Sequence, residues 1–234
     1  MPRARPAAHR HPPPAVSVLH HEPGLIVVDK PAGLVTEPTR DPLRPSVLSV
    51  VRAQLQRPAD AVLAVPHRLD RDTSGVLLLA LEPAMLATLN EAFAARTVHK
   101  SYLAVVHGVP TSTSGTWESF LGQVGRDQRR VRWGAVRSGG KKAITHYEVR
   151  ARHADHSLVE CRPQTGRTHQ LRVHLSEAGH PIVGDEMYGA PAGEHATVGR
   201  HLLHAWKLSI PSAADPRTFE APIPAAFDLG GATR

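Results

Sequence analysis

Leu25, Ile26, Val27 and Val28 form an unbroken apolar run that Asp29-Lys30-Pro31-Ala32-Gly33 closes, the pattern of a short buried strand ended by a turn. Residues 46–55 keep a helical rhythm instead, with Val47, Leu48, Val51 and Leu55 on one side and Pro45 at the entrance. A brief strand is predicted over 62–65 and a second apolar one over 75–80, so the polar stretch 66–74 is a loop held between two buried strands. Pro83 opens a helix on which Leu86, Leu89 and Phe93 recur three and four apart. Over 97–106 the chain alternates, with Val98, Lys100, Tyr102, Ala104 and Val106 on one face and His99, Ser101, Leu103 and Val105 on the other. Further strands fit 143–150, 157–161 and 202–210. Residues 168–178 read as a helix capped by Thr168, striped by Leu171, Leu175 and Ala178, and ended by Gly179. Strands outnumber helices and do not alternate strictly with them, which predicts an α+β fold: a mixed, largely antiparallel sheet with flanking helices.

The 234 residues suffice for a sizeable core. Residues 1–14 stand apart, with five prolines, three arginines and two histidines. That composition buries too little apolar surface to offset its ordering entropy and predicts a disordered tail before a folded domain over 15–234. No apolar run of membrane-spanning length or signal-peptide core occurs, so a soluble, cytoplasmic protein with no membrane partner is expected. The single cysteine, Cys161, excludes an internal disulfide and a Cys-based zinc site. Lys and Arg number 28 against 21 acids, a formal charge of +7 that favours a polyanion, with nucleic acid ahead of a membrane surface. Arg supplies 23 of those cations, and its planar guanidinium suits phosphate forks and base stacking better than an ammonium does.

Several chemistries lose their support on spacing alone. No G-x-G-x-x-G follows a strand, and the stretch ending Gly140-Lys141-Lys142 has Ala135 where a P-loop needs its first glycine. No G-x-S-x-G elbow or H-E-x-x-H helix is present, and His169 and His174 lie five apart rather than the four that pair two ligands on one helical face. Two dense polar segments remain. Residues 66–75 place Asp70 and Asp72 among Thr73 and Ser74, which alone reads as a turn bonding its own backbone. Residues 163–174, followed by the polar loop 179–189, set Arg167 and Arg172 around a helix N-terminus, where free amides and the dipole favour an anion.

Taken together and in order, these segments resemble the RluA-type pseudouridine synthases. His67-Arg68-Leu69-Asp70-x-x-Thr73-Ser74-Gly75 resembles that family's catalytic motif, and residues 25–33 its opening strand and loop. Lys100-Ser101-Tyr102-Leu103-Ala104 resembles the strand carrying the active-site tyrosine, and Gly166-Arg167-Thr168-His169-Gln170-Leu171-Arg172-Val173-His174 the third motif. Residues 200–205 and 219–222 resemble the family's C-terminal close. The resemblance implies the pseudouridine synthase catalytic fold and isomerisation of uridine in rRNA or tRNA, without cofactor or metal, by a protein acting as a monomer. It implies Asp70 as the essential carboxylate, acting either as a nucleophile at C1′ or as a base toward a glycal. Arg172 is implied as its cationic partner, with Arg167 the alternative, and Tyr102 as a stacking surface and proton relay. Leu171 supports the base, Arg68 fills the gap left by a flipped nucleotide, and Arg167 and His169 join the substrate contacts.

Two departures from the family pattern carry expectations of their own. Many relatives have an N-terminal S4-type RNA-binding domain, whereas about 24 mostly polar residues precede the first predicted strand here. RNA affinity is then expected from the catalytic domain. Residues 126–142 hold five Arg and two Lys against the single acid Asp127. This stretch is expected to form a phosphate-contacting hairpin presenting Arg129, Arg130 and Arg132, with its reversal at Gly134 or Gly139-Gly140. The competing readings are a noncatalytic RNA-binding or ribosome-assembly protein on the same fold, and a metal-dependent nuclease using His67, Asp70 and Asp72.

Overall fold

A computed structural model describes residues 15–229 except 42, 128, 129 and 214. The expected tail over 1–14 and the expected RNA contact Arg129 therefore lie outside the described residues, as does the side chain of Arg130.

The strands are β1 (Ser17–Glu22), β2 (Leu25–Lys30), β3 (Ser74–Ala80), β4 (His99–His107), β5 (Ser114–Asp127), β6 (Arg130–Ala135), β7 (Lys141–His153), β8 (His156–Pro163), β9 (Leu203–Ile210) and β10 (Arg217–Glu220). They form one sheet in the order β1-β2-β3-β9-β4-β8-β7-β5-β6, with β10 beside β9. Every pairing is antiparallel except the short parallel contact of β3 with β9, so the predicted α+β class and mixed sheet hold. β3 is buried along its whole length, which explains why it reads as a continuous apolar run rather than an alternating one. One face of β2 and β3 packs on α1 (Val47–Gln54) through Ile26, Val28, Leu77 and Leu79, and the other on α2 (Pro83–Ala94) through Val27, Leu78 and Leu89. A further core joins β4, β8 and β9 to α3 (Gln170–Glu177) through Leu103, Val105, Val159, Leu171 and Leu175. A short α4 (Glu194–Val198) and 3-10 turns at Glu186–Tyr188 and Ala225–Phe227 complete the chain.

Local chemistry accounts for most boundaries. Ser46 caps α1 in a reciprocal box with Ser49, satisfying amides that the first turn leaves free. Pro83 stands in the first turn of α2, where its missing N–H costs nothing.

Four expectations need correction. Residues 62–65 hold only a single bridge, Ala64 to Ala80, because the chain turns away after one pair. The first strand is β1, whose alternating, half-exposed residues pair with β2 at the edge of the sheet. Thr168 does not cap α3: the N-cap is His169 in a left-handed conformation, φ 56°, and Gln170 Oε1 instead accepts from the Arg167 amide at 3.0 Å and from Thr165 Oγ1 at 2.8 Å. Gly134 is no reversal point; it lies inside β6 opposite Gly122.

Candidate active site

Asp70 sits on a loop whose backbone is fastened from both sides. Before it, Leu69 is buried in the core and its amide and carbonyl both pair with Thr36 Oγ1, at 3.2 and 2.9 Å. After it, the Arg71 carbonyl accepts from Lys30 Nζ and from the Gly33 amide, both at 2.9 Å. Lys30 is fully buried and also donates to the carbonyls of Pro31 and Leu34. Burial pushes its amine down to about 7 against the pull of Asp72 and Asp70. Thr73 closes the loop through His201 Nε2 at 2.9 Å. Arg71 holds Asp72 with two 2.8 Å bonds, and His67 Nε2 accepts from the Leu78 amide while its ring stacks on Phe93. His67 and Asp72 are thus structural in their contacts, which removes the arrangement that a nuclease reading of His67, Asp70 and Asp72 needs.

The Asp70 carboxylate, 31% exposed, meets Arg172 Nη1 at 3.2 Å. Arg172 projects from the first turn of α3 and is itself forked onto buried Asp185, Nε to Oδ2 at 2.6 Å and Nη2 to Oδ1 at 2.8 Å. Burial opposes the guanidinium charge, yet the Asp185 bonds and the fields of Asp185 and Asp70 raise its pKa above the usual arginine range. Its plane also lies 4.8 Å from the centroid of Tyr188. Of the two candidate partners for Asp70, Arg172 is the one in contact: Arg167 instead donates from Nε to the Lys142 carbonyl at 3.0 Å.

His169 stands beside this pair. Its left-handed backbone, an uncommon state for a non-glycine residue, brings Nε2 to 3.7 Å from Asp70 Oδ2 and Nδ1 to 2.7 Å from the Tyr188 hydroxyl. Tyr188 Oη accepts from the Trp133 amide at 3.1 Å. The arrangement that satisfies all three groups has Tyr188 donating to Nδ1 and the neutral imidazole carrying its proton on Nε2, toward Asp70. Burial lowers the His169 pKa against the raising effect of Asp70.

Two concavities meet at Asp70, His169 and Arg172. The larger, about 680 Å³, is lined by Tyr102, Leu171, Lys100, Arg68 and the 163–168 loop. Tyr102 and Leu171 present an aromatic ring and an aliphatic wall there, and burial together with the Asp70 charge raises the phenol pKa. Arg68 reaches outward, its side chain 72% exposed and 3.5 Å from Glu37. The second concavity runs under the β5–β6 hairpin, between Val131 and Trp133 on one side and Arg44 and Arg71 on the other. Arg132 lies on the opposite face of β6, beside Arg126 and Glu186. The site thus assembles Asp70, Tyr102, His169, Leu171 and Arg172, with Arg68 and Arg167 at its rim.

Sequence reasoning missed Lys30, Thr36, Asp185, Tyr188 and His201. Lys30 left a signal as a charge closing an apolar run, and Asp185 and Tyr188 fall in the polar stretch 179–189.

The family model for RNA pseudouridylate synthase matches residues 24–177. The chain belongs to this family. It is 41% identical to an uncharacterised RNA pseudouridine synthase of Zymomonas mobilis over 92% of this chain and 98% of that protein. It is 37% identical to the ribosomal large subunit pseudouridine synthase D of Neisseria meningitidis, covering 91% of this chain but 59% of that longer protein. The solved structure of human RNA pseudouridylate synthase domain containing 1 superposes with a TM-score of 0.78 at 28% identity, over 96% of this chain and 92% of that one. Fold and activity class agree: this is an RNA pseudouridine synthase of the RluA type, an isomerase. Among the described residues, no helix is long and apolar enough to cross a membrane.

Proposed function

We propose that this synthase isomerises a uridine in structured RNA, either rRNA or tRNA, with Asp70 as the reacting carboxylate. The observation that carries the reading is the Asp70–Arg172–Asp185 chain of charges at the junction of the two concavities. Breaking the bond between N1 and C1′ builds positive character on the ribose, which a carboxylate stabilises or captures. Arg172 keeps the Asp70 carboxylate aimed, while Asp185 keeps Arg172 from swinging away. Tyr102 and Leu171 sandwich the uracil while it turns to rejoin through C5. The isomerisation conserves atoms and redox state, so the reaction calls for neither cofactor nor metal.

The target base must leave its stack, at a cost of a few kcal/mol. Arg68, exposed and two residues from Asp70, takes the vacated place. The flanking strand enters the second concavity, with Trp133 as a stacking platform and Arg44 near the phosphates. Arg132 on β6, with Arg129 and Arg130 close to it in sequence, contacts RNA phosphates, and Arg167 and His169 complete the substrate contacts. The protein acts as a monomer in the cytoplasm. Large-subunit rRNA is the first RNA to examine, because the relative from N. meningitidis is named for it.

Chemical mapping of pseudouridine in total RNA, with and without the gene, is expected to show a site that disappears with it. Tritium release from that RNA labelled at uridine C5 then tests the residue. Asp70→Asn is expected to stop release while RNA affinity stays within a few-fold, since phosphate contacts carry most affinity. Turnover near wild type in this variant would overturn the assignment.

A further inference from the structure

When the glycosidic bond breaks, its electron pair leaves with the base, and the uracil becomes an anion whose charge spreads over its ring nitrogens and both carbonyl oxygens. The charges already placed serve the other fragment: Asp70 faces the ribose, and Arg172 has its donors engaged by Asp185 and Asp70. Four other cations line the larger concavity, namely Arg68, Arg96, Lys100 and Arg167. Arg68 and Arg96 are exposed, and Arg167 is tied to the Lys142 carbonyl.

Lys100 differs from these three. It is half-buried on β4, two residues from Tyr102, and both side chains line the same concavity. The two positions lie roughly 7 Å apart along the strand, which places Lys100 beyond Tyr102 from the reacting ribose. Its ammonium rests 5.9 Å from the Phe93 centroid and beside Gly166. Among the described residues it meets neither a carboxylate nor a hydrogen-bond acceptor. The neighbouring His67 cannot serve, because Nε2 takes the Leu78 amide and the neutral ring then carries its proton on Nδ1. Holding an uncompensated cation there costs folding energy, which a role in folding leaves unexplained and an anionic ligand repays.

Resting on the pseudouridine synthase reading, we propose that Lys100 is a catalytic residue: its ammonium donates to a carbonyl oxygen of the flipped uracil and stabilises the negative charge the base acquires on cleavage. Lys100 forms no covalent bond and gives up no proton. It acts as a preorganised charge, so its effect falls on the cleavage step more than on RNA binding. A donor here also matches the O4 carbonyl of uracil and meets only an amino group on cytosine. Besides His67, Arg68, Arg96 and Arg167, the titratable groups that line this concavity with Lys100 are Tyr102, Asp70, His169 and Arg172 toward the reacting end. Burial lowers the lysine's pKa.

The test compares Lys100→Met and Lys100→Arg on the RNA that wild type modifies, by single-turnover tritium release, filter binding, pH profile and thermal melting. Lys100→Met is expected to slow release about 100-fold or more, with RNA affinity within about threefold and a melting temperature equal to or above wild type. Lys100→Arg is expected to restore most of the rate and to shift the alkaline limb of the profile upward, because guanidinium does not titrate there. Wild-type release by Lys100→Met, a rate loss matched by lost affinity, or a lowered melting temperature would each overturn the inference. Absence of release by wild type would instead overturn the reading beneath it.

Discussion

Asp70 takes its environment from Arg172 and, through it, from Asp185. Asp185 is buried and holds two of the three Arg172 nitrogens, so the guanidinium offers its remaining nitrogen to Asp70 in a fixed direction. Removing one partner of such a pair leaves a buried charge unmatched. Asp185→Asn is expected to cost about 3 kcal/mol in urea unfolding and to lower turnover sharply as Arg172 loses its fixed direction toward Asp70. The double variant Arg172→Met with Asp185→Leu should regain most of that stability, since neither charge then remains, yet stay as inactive as Asp70→Asn. Recovery of turnover in the double variant would mean that the charge chain does not serve Asp70.

At the scale of elements, the loop carrying Asp70 depends on how closely β3 approaches β9. Gly75 adopts φ +113°, and a Cβ there would fall 2.1 Å from the Ala205 carbonyl oxygen. The parallel contact Ser74–His204 and Gly75–Ala205 forms only because no side chain intervenes. Gly75→Ala is expected to lose at least about 3 kcal/mol by chemical denaturation, from backbone strain and overpacking together. Gly33→Ala, at φ +84° with nothing nearby, should lose only about 1 kcal/mol; equal losses would show that strain alone matters. The β5–β6 hairpin belongs to this scale too. Replacing Arg129, Arg130 and Arg132 with Ser is expected to weaken binding to specific and random RNA alike. The log–log salt slope should flatten by about two units, near 0.7 per lost single-strand contact. An unchanged slope and affinity would place the hairpin away from the RNA.

Across the whole molecule, neutral histidines stitch the sheet to its surroundings. His67 pairs with the Leu78 amide, His174 with Ser119 and Thr145, and His204 with Ser74. Burial lowers their pKa values to about 3, about 4 and about 4, and that of His201 well below its usual range. The unfolded chain, with histidines near 6.5, therefore binds more protons than the folded one below neutrality. Their contribution to stability is whole above about pH 6.5 and is lost progressively as pH falls toward 4 and then 3. Calorimetry from pH 7 to pH 4.5 should show the melting temperature falling by roughly 10 °C or more. A flat profile would mean that these histidines protonate without cost in place.

The sequence by itself determined the elements whose signals are local. The apolar runs of β2 and β3 needed only their own residues to be recognised, as did the alternation of β4 and the Pro83 start of α2. Asp70, Tyr102 and Arg172 stood out because the segments that carry them resemble the RluA-type family's motifs in that family's order. The edge strand β1 and the strands β5 and β6 were not legible as separate strands, because most of their residues stay exposed or half-exposed and leave no apolar run, although each pairs with a neighbour in the chain. The cap of α3 was misread because Gln170, folding back onto Arg167 and Thr165, replaces the side chain that local preference selects. Only the tertiary structure decided that Arg172 rather than Arg167 meets Asp70, since that choice hangs on Asp185, which arrives from beyond α3. Lys30 carries the same lesson: a charge ending a strand looks solvated until the chain folds three carbonyls around it.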